Sequence, residues 1–146
     1  MKIDSFRNEF FFLSNFYPIE IEIDGKKYKS AEHYYQACKA LDPIEHELIR
    51  NAETAAMTKK YVRKIKSFND DWNNIRLDVM CKALKAKFSI PEMRNALLLT
   101  DGYELEESNW WGDTYWGTYN GVGHNNLGKL LMKFRETIKN EHKNLI

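Results

Sequence analysis

Residues 113–128 read DTYWGTYNGVGHNNLG, a glycine-rich turn that leads directly into a strongly amphipathic segment. The apolar residues of that segment recur at helical spacing, and they are Leu127, Leu130, Leu131, Phe134 and Ile138. The sequence therefore predicts a helix from Leu127 to about Lys139 with one face in a core. Asn125 or Asn126 is suited to the N-cap position of this helix.

The glycines of this turn suggest a place for a phosphate group. Glycine lets the backbone approach a ligand closely, and the first amide groups of a helix are unpaired and lie at the positive end of its dipole. We therefore predict that substrate binds along this turn, at Trp116, Gly117, Gly121, Gly123 and Asn125. The alternative is that the glycines only permit a tight loop before a core helix.

A second informative segment is SAEHYYQACK, residues 30–39, whose first residue is the expected N-cap of another helix. In that helix Glu32, Gln36 and Lys39 project from one face, and Tyr35 lies beside them. The alternative for Glu32 and Lys39 is a solvent-exposed charge pair of little energetic value. The residues expected to face a core are Ala31, Tyr34, Ala37, Cys38 and Leu41.

The rest of the chain reads as short strands and helices without repeats or linkers. Two strands are predicted around the Asp24-Gly25 turn, and another from Tyr103 to Glu107. The predicted helices lie near 31–41, 43–52, 54–62 and 70–88, with a short one starting at Pro91. The helix near 70–88 has two predicted apolar stripes, Leu77, Cys81, Leu84 and Phe88 in one, and Trp72, Ile75, Val79 and Ala83 in the other. We expect an α+β fold, mainly helical with a small β-sheet, as a single domain over residues 1–146.

Composition limits the class of protein. The 146 residues are 43% hydrophobic and 29% charged, which suits one globular domain with a core. The chain has no run of about 18 apolar residues and no signal-peptide pattern, so we expect a cytoplasmic protein with no membrane partner. Cys38 and Cys81 are interpreted as buried thiols. The four histidines show no metal-ligand spacing, so we predict no metal and no cofactor.

The net charge of +1 limits the choice of partner. A protein that binds nucleic acid mainly through phosphates concentrates excess Lys and Arg on one face. One basic run is present, KKYVRKIK at residues 59–66. It is either a solvated helix end or a patch that steers an anionic substrate toward the site.

Several motifs in a fixed order connect these segments to a known family. They are LSNFYP (13–18), IDG (23–25), SAEHYYQACK (30–39), Trp72, MCKALKAKF (80–88), D-x-x-W-G (113–117) and G-x-G-x-N-x-L-G (121–128). Each motif is a weak signal alone, but their order over most of the chain is specific. The sequence resembles the NADAR family, which includes the YbiA-type N-glycosidases, and the resemblance implies a NADAR/YbiA-like fold.

The resemblance also implies cleavage of an N-glycosidic bond between a phosphorylated or ADP-linked ribose and an amine-bearing base. Positive charge grows on the sugar in the transition state of such a reaction, and a nearby carboxylate stabilises it. Glu32 and Asp113 are the implied catalytic carboxylates, and either can be the acid or the base. The implied substrate-binding residues are Ser14, Asn15, Phe16, Tyr35, Gln36, Trp72 and Trp116, with core packing as the alternative for the tryptophans.

Lys39 allows a different mechanism. An N-glycoside of an exocyclic amine can open its ribose ring to an imine, which a lysine amine can capture by exchange. This route needs a lowered lysine pKa. Burial beside Tyr35 would lower the pKa of Lys39, and the charge of Glu32 would oppose that change.

Three functions remain open from the sequence. The first is hydrolysis of early riboflavin-pathway intermediates, which are ribosylamino-pyrimidine phosphates, with release of ribose 5-phosphate. The second is removal of ADP-ribose from guanine in DNA. The near-neutral charge favours the small-molecule substrate, although a flipped nucleotide needs no broad basic surface. The third is a binding module for ADP-ribose or a related nucleotide, which would not need both carboxylates.

Overall fold

The computed structural model describes residues 1–144, which form α-helices and short strands joined by turns and loops. The strands are β1 (Lys2–Ile3), β2 (Ile21–Ile23), β3 (Lys26–Tyr28), β4 (Glu104–Leu105), β5 (Ser108–Asn109) and β6 (Thr118–Tyr119). The helices are α1 (Ala31–Ala37), α2 (Pro43–Arg50), α3 (Ala55–Val62), α4 (Trp72–Phe88), α5 (Pro91–Leu98) and α6 (Asn126–Asn144), and a 3₁₀ helix covers Asn8–Leu13. The predicted α+β, mainly helical fold is confirmed.

The β-structure is divided among separate two-stranded sheets. β2 and β3 pair antiparallel, whereas β1 pairs with β4 and β5 pairs with β6 in parallel. The sequence did not indicate β1, β5, β6 or the 3₁₀ helix. A strand of two residues is too short to show the apolar alternation on which strand prediction depends.

The chain divides into two units by the density of its internal contacts. The first, which we call the helical unit, is Asn15–Ser89. The second, which we call the terminal unit, combines Met1–Ser14 with Ile90–Ile146.

In the helical unit, the β-hairpin formed by β2 and β3 directly precedes α1. Asp24 and Gly25 turn the hairpin with left-handed φ angles of 53° and 80°, as a tight two-residue turn requires. Ser30 is the N-cap of α1, where its hydroxyl accepts a hydrogen bond from the His33 amide. Every residue of α1 is buried, and the helix packs against α2, α3 and α4. α1 is therefore the core helix of this unit.

α4 buries one stripe of its surface rather than two. Its buried side chains are Trp72, Val79, Met80, Ala83, Leu84, Lys87 and Phe88. Leu77 is 42% exposed and Cys81 is also exposed, so the predictions that place them in a core are wrong. The same correction applies to Leu41, which is 65% exposed, and Cys38 is only half-buried. Apolar side chains on a surface are common in folded proteins, so hydrophobicity alone overestimates the core.

α6 organises the terminal unit. It packs against α5 and β4. Leu127, Leu131 and Ile138 of its predicted apolar face are buried, whereas Leu130 and Phe134 are only half-buried. Arg135 is also buried there, and its guanidinium donates to the carbonyl oxygens of Thr100 and Tyr103 over 2.8 and 2.9 Å. These hydrogen bonds satisfy carbonyl groups just beyond the end of α5.

Across residues 1–144, we find no helix with both the length and the apolar character that a membrane span requires. The same residues contain no group of three or more His, Cys, Asp or Glu side chains arranged to hold a metal ion.

Candidate active site

Glu32 and Gln36 form a buried hydrogen-bonded pair on α1. The two residues are 5% and 3% exposed, and Gln36 Nε2 donates to Glu32 Oε2 over 2.7 Å. A carboxylate costs free energy when it leaves water, so buried carboxylates are uncommon and need partners. The alternative of a solvent-exposed charge pair is therefore wrong for Glu32.

Asn15, in the segment before the hairpin, forms a hydrogen bond with Glu32. Its backbone oxygen accepts from the Glu32 amide over 3.0 Å, and its Nδ2 lies 3.2 Å from Met80 Sδ. Oδ1 of Asn15 and Oε1 of Gln36 are buried and accept no hydrogen bond within residues 1–144. The Glu32 carboxylate fixes the orientation of the Gln36 amide, so this oxygen is an acceptor that suits an N–H or O–H donor on a ligand.

Lys39 follows α1 and lies against two aromatic rings. Its Nζ is 5.2 Å from the ring centroid of Tyr35 and 5.6 Å from that of Trp72, and these rings meet edge to face at 5.0 Å. Burial lowers the pKa of the Lys39 ammonium, the charge of Glu32 opposes this shift, and two nearby cations reinforce it. The lowered pKa that the imine route requires is therefore present.

The two nearby cations are Lys59 of α3 and Arg76 of α4. Neither was predicted as a site residue, although Lys59 opens the basic run that was considered for steering. Lys59 Nζ lies 5.1 Å from the ring centroid of Phe16, which is a cation–π contact. Arg76 lies one turn after Trp72 along the face of α4 that is otherwise apolar. That interruption of an apolar stripe is the sequence signal for Arg76.

In the terminal unit, Asp113 shapes the turn before the glycine loop. Its Oδ1 accepts from the amides of Tyr115 and Trp116 over 3.0 and 2.9 Å. The Asn109 side chain holds the Asp113 backbone in turn, donating to its carbonyl oxygen and accepting from its amide. The rings of Tyr115 and Trp116 meet edge to face at 4.8 Å. One carboxylate oxygen of Asp113 therefore supports the local backbone.

Amides that lead into α6 already have hydrogen-bond partners. The backbone amides of residues 124–127 donate to carbonyl oxygens of residues 114–117. The side chain of Asn125 accepts from the Glu107 amide and donates to the Leu105 carbonyl oxygen. These groups are occupied by the loop itself, so the premise of the phosphate prediction is not met here.

The glycines instead allow two backbone segments to approach each other. A Cβ on Gly123 would collide with the carbonyl oxygen of Gly117 and would come within 3.1 Å of the Thr114 Cα. A Cβ on Gly117 would collide with the carbonyl oxygen of Glu107. Gly121 has a left-handed φ of 78° in open space, which is a requirement of the turn alone. These contacts match the alternative of a tight loop before a core helix.

The predicted site residues thus fall into two groups. In the helical unit, those around α1 and the helices packed on it are Asn15, Phe16, Glu32, Tyr35, Gln36, Lys39 and Trp72. In the terminal unit, those in one loop region are Asp113, Trp116, Gly117, Gly121, Gly123 and Asn125, while Ser14 is half-buried after the 3₁₀ helix. A site shared by Glu32 and Asp113 stays a prediction.

Comparison with known proteins identifies the family. The model of the NADAR domain matches residues 4–139. N-glycosidase YbiA of Escherichia coli (strain K12) is 39% identical over 128 residues, which cover 86% of this chain and 79% of that protein. A riboflavin biosynthesis protein of Vibrio vulnificus is 38% identical over 134 residues, which cover 90% of this chain and 36% of that protein. The NMR structure of E. coli YbiA matches with a TM-score of 0.85 at 36% identity, over 97% of this chain and 86% of that one. The chain therefore belongs to the NADAR domain family.

Proposed function

We propose that this protein is an N-glycosidase that hydrolyses the bond between a phosphorylated ribose and the amine of a base. The substrates we assign are early riboflavin-pathway intermediates, whose cleavage releases ribose 5-phosphate. Relatives named N-glycosidase and riboflavin biosynthesis protein support this choice. The observation that carries the proposal is the buried Glu32–Gln36 pair on α1, with Lys39 lying against the rings of Tyr35 and Trp72 just after the same helix. We assign the activity to residues 1–146 acting as one domain in the cytoplasm.

In the direct route, the bond from C1 to nitrogen breaks as water adds to C1. The Glu32 carboxylate stabilises positive charge on C1 and the ring oxygen, and it accepts a proton from the water. Gln36 donates to that carboxylate and fixes its orientation. The leaving nitrogen takes up a proton, which balances the one that Glu32 accepts from water, and the base departs as a free amine.

In the imine route, the ribose ring opens and C1 forms an imine with the nitrogen of the base. The neutral amine of Lys39 adds to C1, and the base leaves as a free amine with the two protons that the Lys39 nitrogen gives up as its own imine forms. Water then hydrolyses the lysine imine, which releases the ribose aldehyde and restores the amine. The burial of Lys39 between Tyr35 and Trp72 supports this route, because it favours the neutral amine.

The aromatic residues have different parts in this proposal. Trp72 is only 6% exposed, so we assign it to holding Tyr35 and Lys39 in place rather than to a broad ligand wall. Phe16 and Trp116 are more exposed and present ring surface for a base or a ribose. The unpaired oxygens of Asn15 and Gln36 suit sugar hydroxyls or base N–H groups.

The test is to incubate the purified protein separately with a ribosylamino-pyrimidine phosphate and with ADP-ribosylated guanine in DNA. Release of ribose 5-phosphate from the first and nothing from the second is the expected result. Glu32→Gln should bind but lose at least about 100-fold in turnover, whereas the exposed Glu22→Gln should match the wild type. Release of ADP-ribose alone would favour reversal of DNA modification. ADP-ribose binding without any cleavage, equal in wild type and Glu32→Gln, would favour the binding module.

A further inference from the structure

Hydrogen bonds already made within each group of predicted residues restrict where a phosphate can bind. In the terminal unit, the amides of residues 124–127 already donate to carbonyl oxygens of the loop. In the helical unit, the unpaired atoms of Asn15 and Gln36 are oxygens, which repel the oxygens of a phosphate. A phosphate at this site favours cationic side chains as donors, and Lys59 and Arg76 are two cations that we did not predict as site residues.

Lys59 has the geometry of such a donor. It is half-buried on α3, and its Nζ rests 5.1 Å from the Phe16 ring centroid. Among the residues that the structure describes, that Nζ makes no hydrogen bond and no ion pair. Lysines are rarely withdrawn from water without a partner, so the donors of Lys59 are available to an anion.

Lys59 is one of several cations that converge near the end of α1. α3 and α4 both pack against α1, which brings Lys59 and Arg76 into the neighbourhood of Lys39. Burial is the main cause of the lowered pKa of Lys39, and the charges of Lys59 and Arg76 act in the same direction. Lys39, Lys59 and Arg76 bring positive charge to the neighbourhood of Glu32, which favours the approach of an anion.

We propose that Lys59 and Arg76 bind the phosphate carried on C5 of the ribose, with C1 directed toward Glu32 and Lys39. This inference rests on the proposed function, because it takes ribose 5-phosphate as the recognised unit. Arg76 suits two phosphate oxygens at once, and Lys59 contributes a single compact charge. A ribosylamine phosphate and ADP-ribose both carry phosphate at this carbon, so the shared chemistry is a C5 phosphate.

The test measures binding by calorimetry to ribose 5-phosphate, ribose, ADP-ribose and inorganic phosphate. Lys59→Met should weaken ribose 5-phosphate binding about 10- to 100-fold, because a hydrogen bond to a charged group is lost, and should leave ribose binding unchanged. Lys60→Met is the matched control, since Lys60 is the exposed neighbour on α3 and its loss changes net charge equally. The affinity of Lys60→Met for ribose 5-phosphate should stay within about 2-fold of the wild-type value. Lys59→Arg should retain the preference for ribose 5-phosphate.

Several results would overturn the inference. Lys59→Met and Lys60→Met could bind ribose 5-phosphate equally well, or the wild type could bind it no better than ribose. Ribose 5-phosphate could also shift amide NMR signals at residues 121–124 and leave those around Lys59 and Arg76 unchanged. The last two measurements use only the wild type, so they decide the matter even if Lys59→Met does not fold.

Turnover separates this inference from the proposed function. If the wild type cleaves a ribosylamino-pyrimidine phosphate and Lys59→Met keeps its KM, the phosphate site is wrong and the function stands. If binding depends on Lys59 but neither substrate is cleaved, the phosphate site stands and the function fails. A Lys59 effect on ADP-ribose that exceeds the effect on ribose 5-phosphate would place the pyrophosphate, not a monoester, against these cations.

Discussion

Lys87 is predicted to destabilise the protein at neutral pH. It is fully buried on α4 at 0% exposure, with its Nζ 5.5 Å from the ring centroid of Tyr17 and 5.2 Å from that of Phe88. Burial lowers the pKa of its ammonium from an ordinary 10.5 to about 7. Lys87 therefore lies between a charged and a neutral form at neutral pH, where an unfolded chain would keep it charged.

The sign of the effect follows from proton binding. Between pH 7 and pH 10.5 the unfolded chain holds more protons at Lys87 than the folded one, so the free energy of unfolding rises with pH in that window. The slope approaches about 1.4 kcal/mol per pH unit. Relative to a group with an unshifted pKa, the loss of stability is about 4 kcal/mol at pH 7 and about 2 kcal/mol at pH 9.

The perturbation is Lys87→Met, which keeps a long apolar stem and removes the ammonium. We expect the free energy of unfolding of Lys87→Met, relative to that of the wild type, to fall by about 2 kcal/mol between pH 7 and pH 9. The reason is that the wild type becomes more stable as Lys87 loses its proton, and the variant has no such group. Urea unfolding followed by circular dichroism at each pH measures that difference. Lys85→Met is the matched control, since Lys85 is exposed on the same helix. Parallel pH curves for wild type and Lys87→Met would show that Lys87 keeps an ordinary pKa and would refute the reasoning.

Three further predictions follow from single contacts. Gln36→Met should reduce kcat/KM about 10-fold or more, since it removes both the donor to the catalytic carboxylate and a buried acceptor; kinetics at constant pH check this, and unchanged kcat/KM would contradict it. If turnover uses the neutral amine of Lys39, kcat should fall as pH falls through its lowered pKa, and Lys39→Arg should be inactive; a Lys39→Arg variant with near-normal turnover would eliminate the imine route. Asn125→Ala should lower the free energy of unfolding by about 2 to 3 kcal/mol, because it leaves a buried amide and a buried carbonyl oxygen unpaired; a denaturation midpoint within error of the wild type would count against that role.

The local parts of the fold were predictable because their causes lie within a few residues. The Asp24-Gly25 hairpin, the Ser30 cap and the helical spacing of Glu32 and Gln36 each depend on neighbours in sequence. The projection of the last two residues from one face followed from helix geometry. Helix geometry does not predict the burial of Glu32 and Gln36, since that burial depends on three other helices that pack against α1.

The parts that escaped prediction depend on contacts between distant segments. Lys59 and Arg76 come near Lys39 only because separate helices pack on α1, and no spacing rule records this. The glycine loop is a similar case, because its amides find carbonyl partners eight to eleven residues earlier in the chain. A sequence rule that treats the first amides of a helix as unpaired does not predict these carbonyl partners.

The parallel pairing of β1 with β4 sets an order on how the chain can fold during synthesis. Lys2 pairs with Glu104 and Ile3 with Leu105, so the terminal unit cannot close until most of the chain has left the ribosome. The helical unit is continuous in sequence from Asn15 to Ser89 and can form before that point. β1 therefore has no strand partner until β4 has been synthesised, and its backbone groups are open to mispairing in a nascent chain until then.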